Sequence, residues 1–150
     1  LLGRGEDGAE VQAARVAMLA HPQVQALITA GGSWPGLALK RHNDASHPLY
    51  ALSTLADFGL RHQDPGVEEA VGAVLAHQSG DGAFQSLLNI GAAYGGTGSD
   101  AWTWILCDAP TLLYGLLAMG LGDDARVQVN FGRDGMKWLA LSVARLEAIG

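Results

Sequence analysis

Apolar positions recur at helical spacing along most of this chain. Between Pro65 and Gln78, Val67, Val71, Val74 and Leu75 fall at i, i+4, i+7 and i+8, the stripe of a helix that buries one face. Asp64 before Pro65 reads as an N-cap with proline in the first helical position. Glu68 and Glu69 place negative charge in the first turns, where the helix dipole favours it. Leu49, Leu52, Leu55 and Ala56 mark a second helix from about Pro48 to Phe58, with Gly59 as its stop. Leu113, Leu116 and Leu117 mark a third from about Pro110 to Met119, stopped by Gly120. Further helices are predicted over Glu10–Ala20, Pro22–Ala30 and Met136–Ala148. Strict apolar–polar alternation hardly appears, so strand evidence is thin. The glycine-rich stretch 80–98 reads as loop around a short apolar piece, Phe84 to Ile90.

The helices repeat as units. Asp44-Ala45 with Tyr50 recurs as Asp108-Ala109 with Tyr114, and Phe58-Gly59-Leu60 recurs as Met119-Gly120-Leu121. Asp64 and Val67 follow the first copy, Asp124 and Val127 the second. Another mark sits between them: Gly32-Ser33-Trp34, Gly82-Ala83-Phe84, and Gly135-Met136-Lys137-Trp138. The expected unit is a helix, a tight Gly-Leu turn, a second helix and a Gly-aromatic loop. A single hairpin of this kind cannot bury its apolar face, whereas stacked hairpins share one core.

Composition narrows the class. A chain of 150 residues, 49% hydrophobic and 16% charged, is one domain with ample core material. Its net charge of −6 and the lack of a basic patch argue against a nucleic-acid partner. Cys107 is the only cysteine, which excludes an intrachain disulfide. No apolar run reaches the length of a membrane span, and the first residues lack signal-peptide character, so the expected compartment is the cytoplasm.

The segment from Ala73 to Phe84 resembles the Gln-Trp-type repeat of the terpenoid cyclase and protein prenyltransferase superfamily. Gln78 ends the helix, and Gly82 and Phe84 follow, with Phe in place of Trp. Ala30 to Trp34 and Asp134 to Trp138 look like weaker copies, and Asp108 to Leu121 looks like an inner helix of the same architecture. The resemblance covers about residues 10–130. It implies an all-α fold of stacked helical hairpins forming part of an α/α toroid, with inner helices around a central cavity. There is material for about three hairpins, so residues 1–150 are expected to form a single α/α-repeat domain, a fragment or half of a ring. An open arc leaves apolar helix faces at its ends, which implies a homo-oligomer.

The superfamily's catalytic signatures are incomplete. Gly122-Asp123-Asp124 falls short of the acid motif of squalene-type cyclases, and Asp123 to Val127 fails the magnesium motif at its last position. Cys107 beside Asp108 is the nearest match to a zinc prenyltransferase site, but adjacent residues rarely both reach one tetrahedral metal. No metal site and no cofactor are therefore assigned. The densest reactive cluster is Lys40 to His47, which leads into a predicted inner helix. There His42, Asp44 and His47 would hold a metal or, alternatively, Asp44 would orient His47 as an acid or base, and Lys40 and Arg41 beside the helix N-terminus would take an anion such as a diphosphate. The plain alternative is a solvated loop that caps the next helix. Asp44, His47 and Asp108 are thus the catalytic candidates. Tyr50, Trp102, Trp104, Tyr114 and Arg41 are the substrate-binding candidates, the aromatic rings lining the cavity or serving as core anchors.

Two functions follow. One is a prenyltransferase- or cyclase-like protein that binds an apolar, isoprenoid-type small molecule in a helix-lined cavity. The other is a non-catalytic helical-repeat binding or interaction module. Whether the chain is an enzyme stays open at this point.

Overall fold

The computed structural model describes residues 8–40 and 45–129. Among these the chain is mainly helical, with six α-helices and one two-stranded sheet. The helices are α1 (Ala9–Leu19), α2 (Pro22–Gly32), α3 (Pro48–Asp57), α4 (Val67–Leu75), α5 (Asp108–Ala118) and α6 (Ala125–Gln128). Strands β1 (Ser86–Leu88) and β2 (Ala101–Thr103) lie between α4 and α5. The predicted helix over 136–148 and the third Gly-aromatic mark at 135–138 lie outside the described residues.

Local signals explain most helix boundaries. α2 and α3 start alike: a histidine cap followed by proline in the first turn. The ring of His21 accepts from the Gln23 N–H at 3.3 Å, and that of His47 from the Leu49 N–H at 3.2 Å. α3 ends at Gly59 and α5 at Gly120, with φ of 76° and 89°. After each glycine a buried leucine closes a six-residue turn. Leu60 N–H donates to the Leu55 carbonyl at 3.1 Å, and Leu121 N–H donates to the Leu116 carbonyl at 3.0 Å. This is the Schellman motif, which satisfies carbonyls that a helix end otherwise leaves bare. The match continues downstream. Val67 N–H bonds the Asp64 carbonyl at 3.0 Å and Val127 N–H the Asp124 carbonyl at 2.9 Å, and both valines are fully buried. The sequence repeat is therefore a repeat of backbone geometry.

Side chains clamp consecutive units. The Met119 carbonyl at the end of α5 accepts from His62 twice, from its backbone N–H at 3.1 Å and its Nδ1 at 3.0 Å. Gln78 Nε2 donates to the Gly82 carbonyl and to the Arg126 carbonyl, both at 2.7 Å. The glutamine that marks the repeat in sequence thus ties its own loop to the second helix of the next unit. Tyr114 donates its hydroxyl to Asp57 Oδ1 at 2.5 Å. The His62 and Tyr114 contacts join the chain at the end of α3 to α5, so the two helices run in parallel and both begin at the same end. α1 ties in by a different route: Arg15 pairs with Asp64 and donates to the Gly59 carbonyl at 2.9 Å.

Three expectations need correction. The fold is not purely helical, because Phe84 to Ile90 is not simply loop. β1 pairs antiparallel with β2 (Ser86 with Thr103, Leu88 with Ala101), and Leu39 joins β1 in parallel through bonds to Leu87 and Asn89. Three-residue strands are too short to show a period of two, and contacts distant in sequence select them. α4 begins at Val67 rather than Pro65, with Gly66 as its N-cap, and ends at Leu75, so Gln78 does not end the helix but bridges to Phe84 beyond it. Asp64 is turned instead toward Arg15 and the Arg61 N–H. On α5 the buried stripe is rotated: Leu112 and Leu116 are buried, Leu113 is half-buried and Leu117 is exposed.

Two measurements test this account. At Gly59 nothing crowds an added Cβ, so Gly59→Ala carries only the left-handed backbone penalty, about 1–2 kcal/mol. Gly72→Ala, equally uncrowded but in the interior of α4, should stabilise by about 0.5–1 kcal/mol. Denaturant melts should give these opposite signs. Asp124 caps α6 and is held down to about 2 from the ordinary 3.8, chiefly by the Arg126 guanidinium hydrogen-bonded to it. A lowered folded-state value means its charge adds stability in full above about pH 3.8, lost as pH falls through about 2. Asp124→Asn, which keeps a capping oxygen, should therefore lower Tm at pH 6 and converge on the unmodified chain near pH 2 in calorimetry.

Candidate functional site

The end where α3 and α5 begin carries the candidate catalytic groups. His47 is 4% exposed. Its Nδ1 accepts from Leu49 N–H, so its Nε2, 3.1 Å from the Leu37 carbonyl, must be the protonated donor. Both ring nitrogens are thereby engaged, one capping α3 and one pinning the preceding loop. The ring of Trp34 stands edge-on to it, with centroids 6.4 Å apart and planes 80° apart. This is an architectural histidine at the place where the sequence suggested an acid or base. Asp44 and Arg41, its expected companions, lie outside the described residues, as does His42.

Asp108 opens α5 at 1% exposure, where a helix N-terminus favours a carboxylate. Trp104, Ala83 and Ala109 form a small cluster of buried apolar side chains at this same end. Cys107 precedes Asp108 and is exposed. Partial burial and the Asp108 charge raise its thiol above the ordinary value, which disfavours the thiolate that a metal ligand or nucleophile needs. Among the described residues no three His, Cys, Asp or Glu side chains gather as a metal-binding group.

The aromatic candidates do not line one cavity. Tyr50 is half-buried against the main core. Tyr114, its partner in the sequence repeat, is 49% exposed and bound to Asp57, whose hydrogen bond raises the phenol. Trp102 stacks face to face on His77, with centroids 3.4 Å apart and planes 6° apart. Trp104 is buried. Between α3, α4 and α5, where Leu52, Val74, Leu112 and Met119 converge, about 10 Å³ remains open, room for about one water molecule.

Two larger hollows lie at the surface. One, about 650 Å³, runs between α1 and the ends of α3 and α5, past Arg15, Met18, Phe58 and Ala118. The other, about 520 Å³, is held within the β1–β2 segment. Leu88, Ile90, Trp104 and Ile105 supply apolar surface there, and Tyr94, Thr97, Ser99 and Thr103 supply hydroxyls. Of its lining, only Trp104 was expected from sequence. The available signal was Tyr94 amid Gly91, Gly95, Gly96 and Gly98: a large ring in a run of residues without side chains.

No helix among the described residues is long and apolar enough to cross a membrane. No family model, curated protein or solved structure matches the chain.

His47 is expected to contribute through folding. His47→Ala should cost about 1–3 kcal/mol by removing the cap and stranding the Leu37 carbonyl. His47→Asn should recover the capping part, because its side-chain oxygen can still accept from Leu49 N–H. Chemical denaturation of the three proteins checks the order.

Proposed function

We propose that the chain is a non-catalytic helical-repeat module, an arc of stacked hairpins of the α/α-toroid type that binds a ligand rather than transforming one. One observation carries this reading: His47, the best-placed acid–base candidate, already uses both ring nitrogens within the fold. A general base needs a free nitrogen within hydrogen-bond reach of the substrate. The packing between the helices supports the same view. An isoprenoid-type substrate would need a chamber of several hundred Å³, and about 10 Å³ is open between α3, α4 and α5. The other reading, a prenyltransferase- or cyclase-like enzyme, would have to use Asp108 and side chains of the loop before His47. Self-association is part of the proposal, since an arc of repeats exposes apolar edge residues such as Leu117 of α5.

Calorimetric titration with farnesyl diphosphate, with product analysis, tests the choice. The expected result is no saturable binding at about 100 μM and no turnover. Turnover of the diphosphate would overturn the reading, and its loss in His47→Asn while Tm holds would assign the chemistry to His47. Light scattering on the same samples should show a mass above the monomer, unchanged by the diphosphate.

A further inference from the structure

The β1–β2 segment builds its hollow with more care than a surface connection needs. The turn Ala92–Tyr94 is followed by Gly95 in the left-handed region, and the chain then doubles back on Ile90. Gly98 N–H donates to the Ile90 carbonyl at 2.8 Å and Gly96 N–H to the Gly91 carbonyl at 3.2 Å. A Cβ at Gly96 would lie 2.0 Å from the Ile90 carbonyl oxygen, so only glycine permits this closure. Asn89 Nδ2 bonds Asp100 Oδ1 at 2.7 Å across the base of the loop. The hollow is therefore formed before any ligand arrives, which limits the entropy lost on binding.

Its chemistry selects the ligand. About 520 Å³ lies within the range of small-molecule sites. No Asp, Glu, Lys, Arg or His is among the lining residues, so a charged group entering it would be desolvated without a counter-charge. The Thr97 and Ser99 hydroxyls lie 2.7 Å apart. One proton bridges them and the Ser99 N–H reaches Thr97 Oγ1 at 3.4 Å, leaving a second hydroxyl proton and the remaining lone pairs for another partner. Tyr94 stands at the rim, 87% exposed, with its ring in water. An exposed aromatic ring at that rim offers a stacking surface to a planar ligand.

We propose that this hollow is a binding site for an uncharged small molecule that carries an aromatic ring and a hydroxyl group. The ring stacks on Tyr94 over the apolar floor of Leu88, Ile90 and Ile105, and the hydroxyl joins the Thr97–Ser99 pair. The site deepens the binding-module reading by naming a ligand class, and it rests on that reading.

The probe is 1-naphthol, followed by calorimetry and by amide shifts in NMR, with 1-naphthyl phosphate as its charged counterpart. Saturable binding below about 1 mM, with shifts confined to 88–105, is expected. The phosphate should bind at least about tenfold more weakly. Tyr94→Ala should weaken naphthol about tenfold, and Thr97→Val several-fold, with Tm held because both side chains lie at the surface. No saturable binding, shifts centred elsewhere, equal binding of the phosphate, or an unaffected Tyr94→Ala would each overturn the proposal. Turnover of farnesyl diphosphate would instead remove the module reading and leave the naphthol result standing, so the two failures are distinguishable.

Discussion

The structure depends on the left-handed glycine that closes the α3–α4 and α5–α6 hairpins. At Gly59 and Gly120 the chain reverses at a φ that other residues adopt only under strain, and it places Leu60 or Leu121 back under the helix it has just left. That single geometry sets the exit direction of the chain and the position of the valine that starts burying the next helix. Because it occurs twice, two hairpins present the same surfaces in the same order and can stack. The clamps by His62 and Gln78 are the consequence: each reaches a carbonyl of the neighbouring unit that only a second copy of the same turn puts within range.

Stacking in this way decides what becomes of the polar side chains. Helix ends need capping groups, and a short-helix protein has many ends. His21 and His47 cap, Asp124 caps, and His62 holds the next turn. Arg15 and Asp64 fasten α1. His47, which looks reactive in sequence, is thus engaged in the architecture, and the space between α3, α4 and α5 is packed by Leu52, Val74, Leu112 and Met119. The larger hollows lie at the surface, one beside α1 and one within the β1–β2 segment. The longest connection, between α4 and α5, turns glycine and short hydroxyl side chains into a wall.

Much of this was legible in the chain. Apolar spacing and Gly stops locate α3, α5 and their turns to within two residues, and the paired Gly-Leu and Asp-Val marks announce the repeat before any contact is known. These signals are local: a cap, a left-handed glycine and an apolar stripe act over about one helical turn. The candidate site was legible only as a set of residue types. Tyr50 and Tyr114 occupy equal repeat positions, yet one meets the core and the other meets Asp57 at the surface. His77 and Trp102 gave no sign of stacking, because the pairing register of β1 and β2 sets that contact.

The sequence by itself located the helices α1 to α5, the glycine stops of α3 and α5 and the recurrence of that turn, since those outcomes follow from backbone propensities within a few residues. Tertiary structure alone decided the rest. It shifted the start of α4 when Arg15 claimed Asp64, rotated α5 so that Leu112 rather than Leu117 is buried, and raised a small sheet from strands too short to declare themselves. It also decided that His47 caps and straps, and that the glycine loop folds back to enclose a hollow. The physical reason is the same in each case. A side chain's partner is fixed by which distant surface arrives beside it, and burial makes leaving that partner unsatisfied more costly than any local preference.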